Sequence, residues 1–424
     1  MKFHWFHLMP YTDLPDDFRE KNRSVWVDVN SRLFDPLKGH GMYHDFLDEL
    51  EYADQVGFDG ICCNEHHQNA YGLMPSPNLV AATLTRRTQN AKLVVMGNSV
   101  ALYNPPVRVA EEFAMLDVMS GGRLIAGFPV GTPMDTVFCY GENPATLRDK
   151  YREGVDLVVK AWTTPDPFVF NGKYTQLRYV NPWPRPIQQP HPPVWIPGGG
   201  SVETWEWCVR NDFLYAYLSY FGYQRGRQVM DGYWETVDRL GADRNPYRAG
   251  FLQFVGVADS DAHAEELYSE AALYFYNRCL NLFEGFANPP GYSSVATLRK
   301  GITGQVQAAA QALSDDLTWK DIVDRGYVVA GSPQTVVDHL NEMADTMNVG
   351  HLMLLLQFGN LPKERVYENT SRFIGEVAPK LRDRFDEWDD KWYPTQSLPA
   401  EAQAQPAPVG DAKGSMRDLA EGER

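Results

Sequence analysis

Eight short apolar runs, each separated from the next by at least one helix-length segment, set the first constraint on this chain. They lie at residues 2–8, 59–64, 92–102, 123–128, 193–197, 213–218, 251–257 and 351–356. Continuous apolar runs of this length that alternate with amphipathic helical segments indicate βα units and a parallel sheet covered on both faces. Eight strands joined by seven crossovers, with a final helix over about 362–381, predict a (β/α)8 TIM barrel. The crossovers read as helices. Tyr43, Phe46, Leu47, Leu50, Ala53 and Val56 recur every three or four residues and form one apolar stripe. Ser76-Pro77 and Ser332-Pro333 each place an N-cap hydroxyl before a first-turn proline. The helix that begins near Pro106 is expected to stop at Gly121-Gly122, where glycine can take the left-handed C-cap conformation.

The chain has 424 residues, whereas a bare barrel needs about 250. The surplus is read as insertions and a tail on one barrel domain over 1–393. The stretch 163–192 is proline-rich and contains Phe168-Val169-Phe170-Asn171-Gly172-Lys173-Tyr174, which reads as a tight hairpin at Asn-Gly. The stretch 277–326 is rich in Gly, Pro and aromatics as far as Tyr292, and a barrel loop of that length serves as a lid or binding element. Tyr276, Phe283, Phe286 and Tyr292 are its candidate pocket side chains. From 394 to 424 the composition shifts to Ala, Pro, Gln, Gly and charge, and a disordered tail is expected.

A formal net charge of -16 argues against nucleic acid or an anionic membrane as the main partner, since both select basic surfaces. The five cysteines have no CxxC pair and no regular spacing, so reduced core residues are expected. No charged and apolar signal segment opens the chain, and no apolar run approaches the ~20 residues that span a bilayer. The expected location is the cytoplasm.

Chemistry concentrates at three places. Asn64-Glu65-His66-His67 follows the second strand, at the sheet edge where parallel α/β folds put their active sites. His66 can exchange protons near neutral pH and is the candidate general acid/base. A buried structural histidine or a metal ligand is the alternative, although Glu65, His66 and His67 alone make a thin ligand set. Gly198-Gly199-Gly200-Ser201 lies between the fifth strand and a helix. Gly199, Gly200 and Ser201 there suit an anion such as a phosphate, or simply form a tight turn. Gly97-Asn98-Ser99 interrupts the third strand, and such small residues leave room for a flat ring or serve packing alone. His7 ends the first strand, either facing the same mouth or hydrogen-bonded in the core. No GxSxG elbow is present, so nucleophilic catalysis has little support.

These motifs, with Met1-Lys2-Phe3, Gly57-Phe58-Asp59, Asn104-Pro105-Pro106-Val107-Arg108, Leu116-Asp117-Val118-Met119-Ser120-Gly121-Gly122-Arg123, Val194-Trp195-Ile196 and Gly331-Ser332-Pro333-Gln334-Thr335, occur in an order that resembles the bacterial luciferase-like, flavin-dependent monooxygenases. The resemblance covers about 1–382. It implies a barrel with FMN at its C-terminal mouth, His66 acting on a flavin 4a-(hydro)peroxide, Asn98 and Ser99 beside the isoalloxazine, and Gly199, Gly200 and Ser201 on the phosphate. It further implies reduced FMN from a separate NAD(P)H:flavin reductase, dioxygen as co-substrate, a small apolar organic substrate, no metal, and a homodimer. After the fourth strand, luciferase itself has a cysteine and a phosphate-binding arginine where this chain has Pro129-Val130, which separates it from the light-emitting enzymes. A deazaflavin-dependent dehydrogenase and a non-catalytic flavin-binding protein on the same barrel are the alternatives.

Overall fold

The computed structural model of the protein describes residues 1–299, 316–395 and 397–398. Among these residues the strands are β1 (Lys2–Phe6), β2 (Gly60–Cys63), β3 (Lys92–Val95), β4 (Leu124–Gly127), β5 (Phe168–Asn171), β6 (Gln176–Val180), β7 (Val194–Gly198), β8 (Leu214–Tyr217), β9 (Ala249–Val257), β10 (Val328–Gly331) and β11 (His351–Leu355). The strands β1, β2, β3, β4, β7, β8, β9 and β11 pair in parallel in that order, and β11 returns to β1. A closed (β/α)8 barrel results, built from the eight runs that the sequence marks as strands. The long helices around it are α1 (Pro36–Val56), α2 (Pro77–Arg87), α3 (Val107–Met119), α4 (Pro144–Thr163), α5 (Val202–Arg210), α6 (Gly222–Arg239), α7 (Asp261–Tyr274), α8 (Pro333–Met347) and α9 (Lys363–Arg372).

The helix ends follow from local chemistry. The Asp35 carboxylate accepts from the amides of Leu37 and Lys38 at the start of α1, and Gly57 closes that helix at φ 97°. Ser76 and Ser332 cap α2 and α8 as their Ser-Pro pairs require. Beyond α3, Gly121 and Gly122 both take positive φ.

Four features differ from the sequence reading. The third strand stops at Val95 rather than 102, because Gly97 passes so close to β4 that a Cβ there would lie 1.9 Å from the Gly127 carbonyl oxygen. The Met96–Gly97 peptide is cis, and residues 100–102 form a 3-10 turn. β10 is a ninth strand of the main sheet, paired outside the closed ring to the far end of β9. The β5–β6 hairpin exists, but Asn171 pairs with Gln176, so its loop has four residues instead of two. The Glu153 carboxylate, on α4, accepts from the amides of Lys173, Tyr174 and Thr175 and so holds the wider loop.

The N-terminal face of the barrel is closed by the chain after α9. The Met1 ammonium donates to the carbonyls of Arg382 and Arg384, the Trp195 indole to the carbonyl of Trp392, and the Tyr393 hydroxyl to the carbonyl of Asp59. Pro394 is buried, and Ser397 and Leu398 bond to the backbone of Gly122 and Gly121. The remainder of the expected tail, residue 396 and 399–424, lies outside the described residues. None of the described helices is long and apolar enough to cross a membrane.

Candidate active site

A cavity of about 360 Å³ opens at the C-terminal ends of the strands, within the range of small-ligand sites. Phe6 from β1, the segment after β2, Met96 and Ser99 after β3, 129–134 after β4, the glycine turn after β7 and Leu218, Tyr220 and Phe221 after β8 all reach it. The expected residues His66, Ser99, Gly199, Gly200 and Ser201 are therefore brought together on one wall system.

Residues 64–67 lie beyond the end of β2, so strand alternation does not decide which histidine serves the cavity. Their partners do. His67 uses both ring nitrogens: Nε2 bonds Glu65 at 2.9 Å, and Nδ1 faces the Tyr140 hydroxyl at 3.2 Å. His66 uses one. Its Nδ1 lies 2.9 Å from Asp135 Oδ2, while the side chain lines the cavity. Asp135 also accepts from the His67 amide at 2.8 Å and the Thr132 hydroxyl at 2.9 Å. A carboxylate so surrounded by donors serves as acceptor, which leaves the hydrogen of neutral His66 on Nδ1 and the lone pair on Nε2. Asp135 is absent from the sequence reading. It stands 69 positions away from His66, in an unremarkable Pro-Met-Asp run, and only the fold joins them.

Glu65 has a supporting role. Its carboxylate accepts from the Ser99 amide at 2.6 Å and the Tyr103 hydroxyl at 3.1 Å. Burial, reinforced by the Glu65 charge, pushes the Tyr103 phenol far above its ordinary range. Asn98, expected beside the cofactor, is fully buried and outside the cavity lining. Its amide accepts from Asn78 and donates to Tyr103, both at 2.9 Å. Asn98 thus braces the wall of which Ser99 forms the surface.

At the glycine turn, Gly200 has φ +101°, which favours glycine, and a Cβ on Gly199 would meet nothing within 4 Å. Ser201 is the N-cap of α5, yet its side chain makes no capping bond. The Thr204 amide bonds the Ser201 carbonyl at 3.0 Å, which leaves the first-turn amides of Val202 and Glu203 for an anion. Arg148 on α4 lines the same end of the cavity and donates to Thr204 Oγ1 at 3.1 Å. Arg148 supplies from another element the cation that Pro129-Val130 lack. Sequence alone gave no hint of which face of α4 would meet the turn.

The far wall is apolar and aromatic. Trp26 stacks on Tyr71 with centroids 3.9 Å apart, and the Tyr71 hydroxyl donates to that of Tyr220. From the expected lid, Leu280, Leu282, Ala287, Asn288, Tyr292, Ser293 and Thr297 reach the cavity. Tyr292 bonds the Gly131 carbonyl at 2.7 Å. Phe283 and Phe286 instead form a rim, packed edge-on with each other and covered by the Arg23 guanidinium, and Phe286 meets Phe138. Tyr276 lies outside the cavity lining and bonds the Tyr220 carbonyl. Residues 300–315 of the lid segment lie outside the described residues.

His7 belongs to the core rather than the mouth. Its Nδ1 accepts from the Met9 amide at 2.9 Å and its Nε2 meets Glu49 at 3.0 Å. Burial lowers the His7 imidazole to about 3 and raises the Glu49 carboxyl well above the usual range. The five cysteines are free thiols, and burial pushes Cys63 up to about 12 and Cys139 up to about 11. Among the described residues, no group of three or more His, Cys, Asp or Glu is arranged to hold a metal ion.

The site can hold a flat ligand with an anionic end. Met96, Ser99 and residues 129–131 offer a surface for a ring system, while the glycine turn, the free amides at the start of α5 and Arg148 suit a phosphate. FMN has this shape and charge. Comparison with known proteins agrees with the geometry. The profile of the luciferase-like monooxygenases matches residues 28–348. Limonene 1,2-monooxygenase of Rhodococcus erythropolis is 32% identical over 361 residues, covering 80% of this chain and 84% of that protein. The oxygenase component of the flavin-dependent trigonelline monooxygenase of Acinetobacter baylyi is 23% identical over 354 residues, covering 82% and 92%. Among solved structures, the oxygenating constituent of 3,6-diketocamphane monooxygenase from Pseudomonas putida, a type II Baeyer-Villiger monooxygenase in complex with FMN, superposes with a TM-score of 0.65 at 20% identity, covering 90% of this chain and 98% of that one. The chain belongs to the luciferase-like monooxygenase family of flavin-dependent oxidoreductases.

Proposed function

We propose that this luciferase-like monooxygenase takes reduced FMN from a separate NAD(P)H:flavin reductase and uses it with dioxygen to oxygenate a small apolar organic substrate in the cytoplasm. The observation that carries this reading is the meeting, in one apolar cavity, of His66 with Gly199, Gly200, Ser201 and Arg148. Reduced flavin, when bound, supplies the two electrons that activate dioxygen. The chain's own residues do the rest. Arg148 and the turn after β7 hold the phosphate, and Ser99, braced by Glu65 and Asn98, supports the ring. His66 accepts or returns a proton at Nε2, with Asp135 as its positioning residue. Trp26, Tyr71, Leu280 and Leu282 exclude water and favour an uncharged substrate.

The barrel and its insertions over 1–393 act as one domain in this reading, supported by the continuous core that links β1 to Trp392. A homodimer is proposed on the adjacent helices α2 and α3, where Leu79, Met115, Val118 and Met119 are exposed apolar side chains. The test is a dioxygen-consumption screen with reductase, NAD(P)H, FMN and a panel of neutral ketones, terpenes and aromatics, with products read by mass spectrometry. Incorporation of one oxygen atom from labelled dioxygen, dependent on FMN and reductase, is expected. Tight deazaflavin binding with hydride transfer and no dioxygen use would overturn the proposal.

A further inference from the structure

The end of the cavity assigned above to a phosphate is bordered by an anion that belongs to the chain: Glu203 lies behind Ser201 and Thr297, which line it. Glu203 sits in the first turn of α5, where the helix dipole favours negative charge. Its carboxylate accepts from the Ser201 hydroxyl at 2.9 Å, from the Thr297 hydroxyl at 3.1 Å and from the Ser294 hydroxyl. Ser294 precedes and Thr297 lies within the short lid helix Val295–Arg299, and Thr297 and Ser201 both line the cavity. The Ser294 hydroxyl further accepts from the Thr297 amide, so the lid presents a preformed pair of side-chain donors. Arg152, one turn from Arg148 on α4, fixes the Glu203 backbone through its carbonyl at 2.9 Å.

This arrangement has a consequence for a bound phosphate. A phosphate at this end of the cavity and the Glu203 carboxylate behind it would repel. The lid hydroxyls, by contrast, can donate as readily to a phosphate oxygen as to a carboxylate. We infer that Glu203 is a stand-in anion, which the flavin phosphate displaces as acceptor for Ser294 and Thr297, so that these lid residues become phosphate ligands and the lid closes on the phosphorylated cofactor selectively. The inference rests on the FMN reading above and deepens it. Glu203 lowers affinity for the phosphate while keeping the lid ordered without cofactor, and the lid hydroxyls make the cofactor's charge the signal for closure.

The test compares anaerobic titrations of the full chain with reduced FMN and reduced riboflavin, which differ only in the phosphate. The double variant Ser294→Ala/Thr297→Val is expected to weaken FMN about tenfold and riboflavin less than about twofold. Glu203→Gln is expected to tighten FMN several-fold and leave riboflavin unchanged. Hydrogen exchange over 292–299 provides a second readout, with stronger protection under FMN than under riboflavin in the native chain. Equal changes for both ligands in the lid variant, or weaker FMN binding in Glu203→Gln, would overturn the inference. Arg148→Ala separates its failure from that of the broader reading. If Arg148→Ala selectively weakens FMN while the lid variant does not, the phosphate site stands and the lid role falls. If Arg148→Ala weakens both ligands equally, the phosphate assignment itself falls, and the lid inference with it.

Discussion

Each end of this barrel holds a histidine near a carboxylate, but His66 at the C-terminal end lines the cavity, whereas His4 and His351 at the N-terminal end are fully buried. At the N-terminal end, His4 Nε2 lies 3.0 Å from His351 Nδ1, and His351 Nε2 lies 3.4 Å from Asp390. Both rings are fully buried, and Tyr393 packs on His4. Burial, with His351 second, holds the His4 imidazole well below its ordinary range. At the other end, His66 is hydrogen-bonded to Asp135 at 2.9 Å, and its remaining nitrogen belongs to a side chain on the cavity wall. The two ends therefore differ in whether a ring nitrogen faces the cavity, and it is that nitrogen of His66 which suits the proton transfer proposed above.

That contrast breaks if the two ends respond alike to substitution. The largest effect is expected at the closed end, where Trp392→Ala removes a buried indole that covers the barrel floor and should cost about 3–5 kcal/mol of stability. Urea denaturation measures this, and activity per folded molecule should stay within about twofold. At the open end, His66→Ala should lower coupled product formation by ~100-fold or more, the scale of a lost general acid/base, while unfolding midpoints change little. Hydrogen peroxide release during flavin reoxidation should rise as coupling falls. His67→Ala should do less, because its nitrogens are committed to Glu65 and Tyr140. A reversed ranking of the two histidines would assign the proton transfer to His67.

Asp135→Asn sharpens the comparison. Losing a charged hydrogen bond to Nδ1, worth about 1.5–3 kcal/mol, should lower kcat about ten- to hundredfold with KM nearly constant. The His66 nitrogen chemical shifts should report a changed tautomer. An unchanged spectrum with unchanged kcat would leave Asp135 purely structural.

The smallest effect is a pH dependence of stability. His7 is held at about 3 and His4 well below 6.5, so the unfolded chain binds protons that the folded chain refuses. Stability should fall as pH drops from about 6.5 toward 3, by ~1.4 kcal/mol per pH unit for each group. Glu49 acts in the opposite sense, because its raised folded value means a proton held above about 4.5 that the unfolded chain releases. Glu49 therefore offsets part of the histidine contribution, and the expected net change is a loss of stability as pH falls below about 6.5. A flat thermal midpoint over this range would contradict the burial argument.

The sequence revealed the barrel because each strand is a local apolar run, and all eight runs became staves. β10 escaped notice as three apolar residues and a glycine beside a Ser-Pro cap, too short to separate from a helix approach. Within the site, His66 and the glycine turn were legible because each is a contiguous motif at a strand's end. Asp135, Arg148 and Glu203 were not, since each meets the cavity or a residue lining it from a helical segment whose facing is set by tertiary packing. Asn98 was misplaced by the same limit: the composition of a small-residue segment does not say which side chain faces the ligand and which turns inward toward Asn78 and Tyr103.

Anaerobic titration of the purified chain with reduced and oxidised FMN, followed by rapid mixing with dissolved dioxygen, bears on the whole reading at once. Reduced FMN should bind in preference to oxidised FMN and should be reoxidised on the protein with kinetics distinct from those of free flavin. Equal or no binding of the two forms, with reoxidation indistinguishable from flavin in buffer, would contradict it.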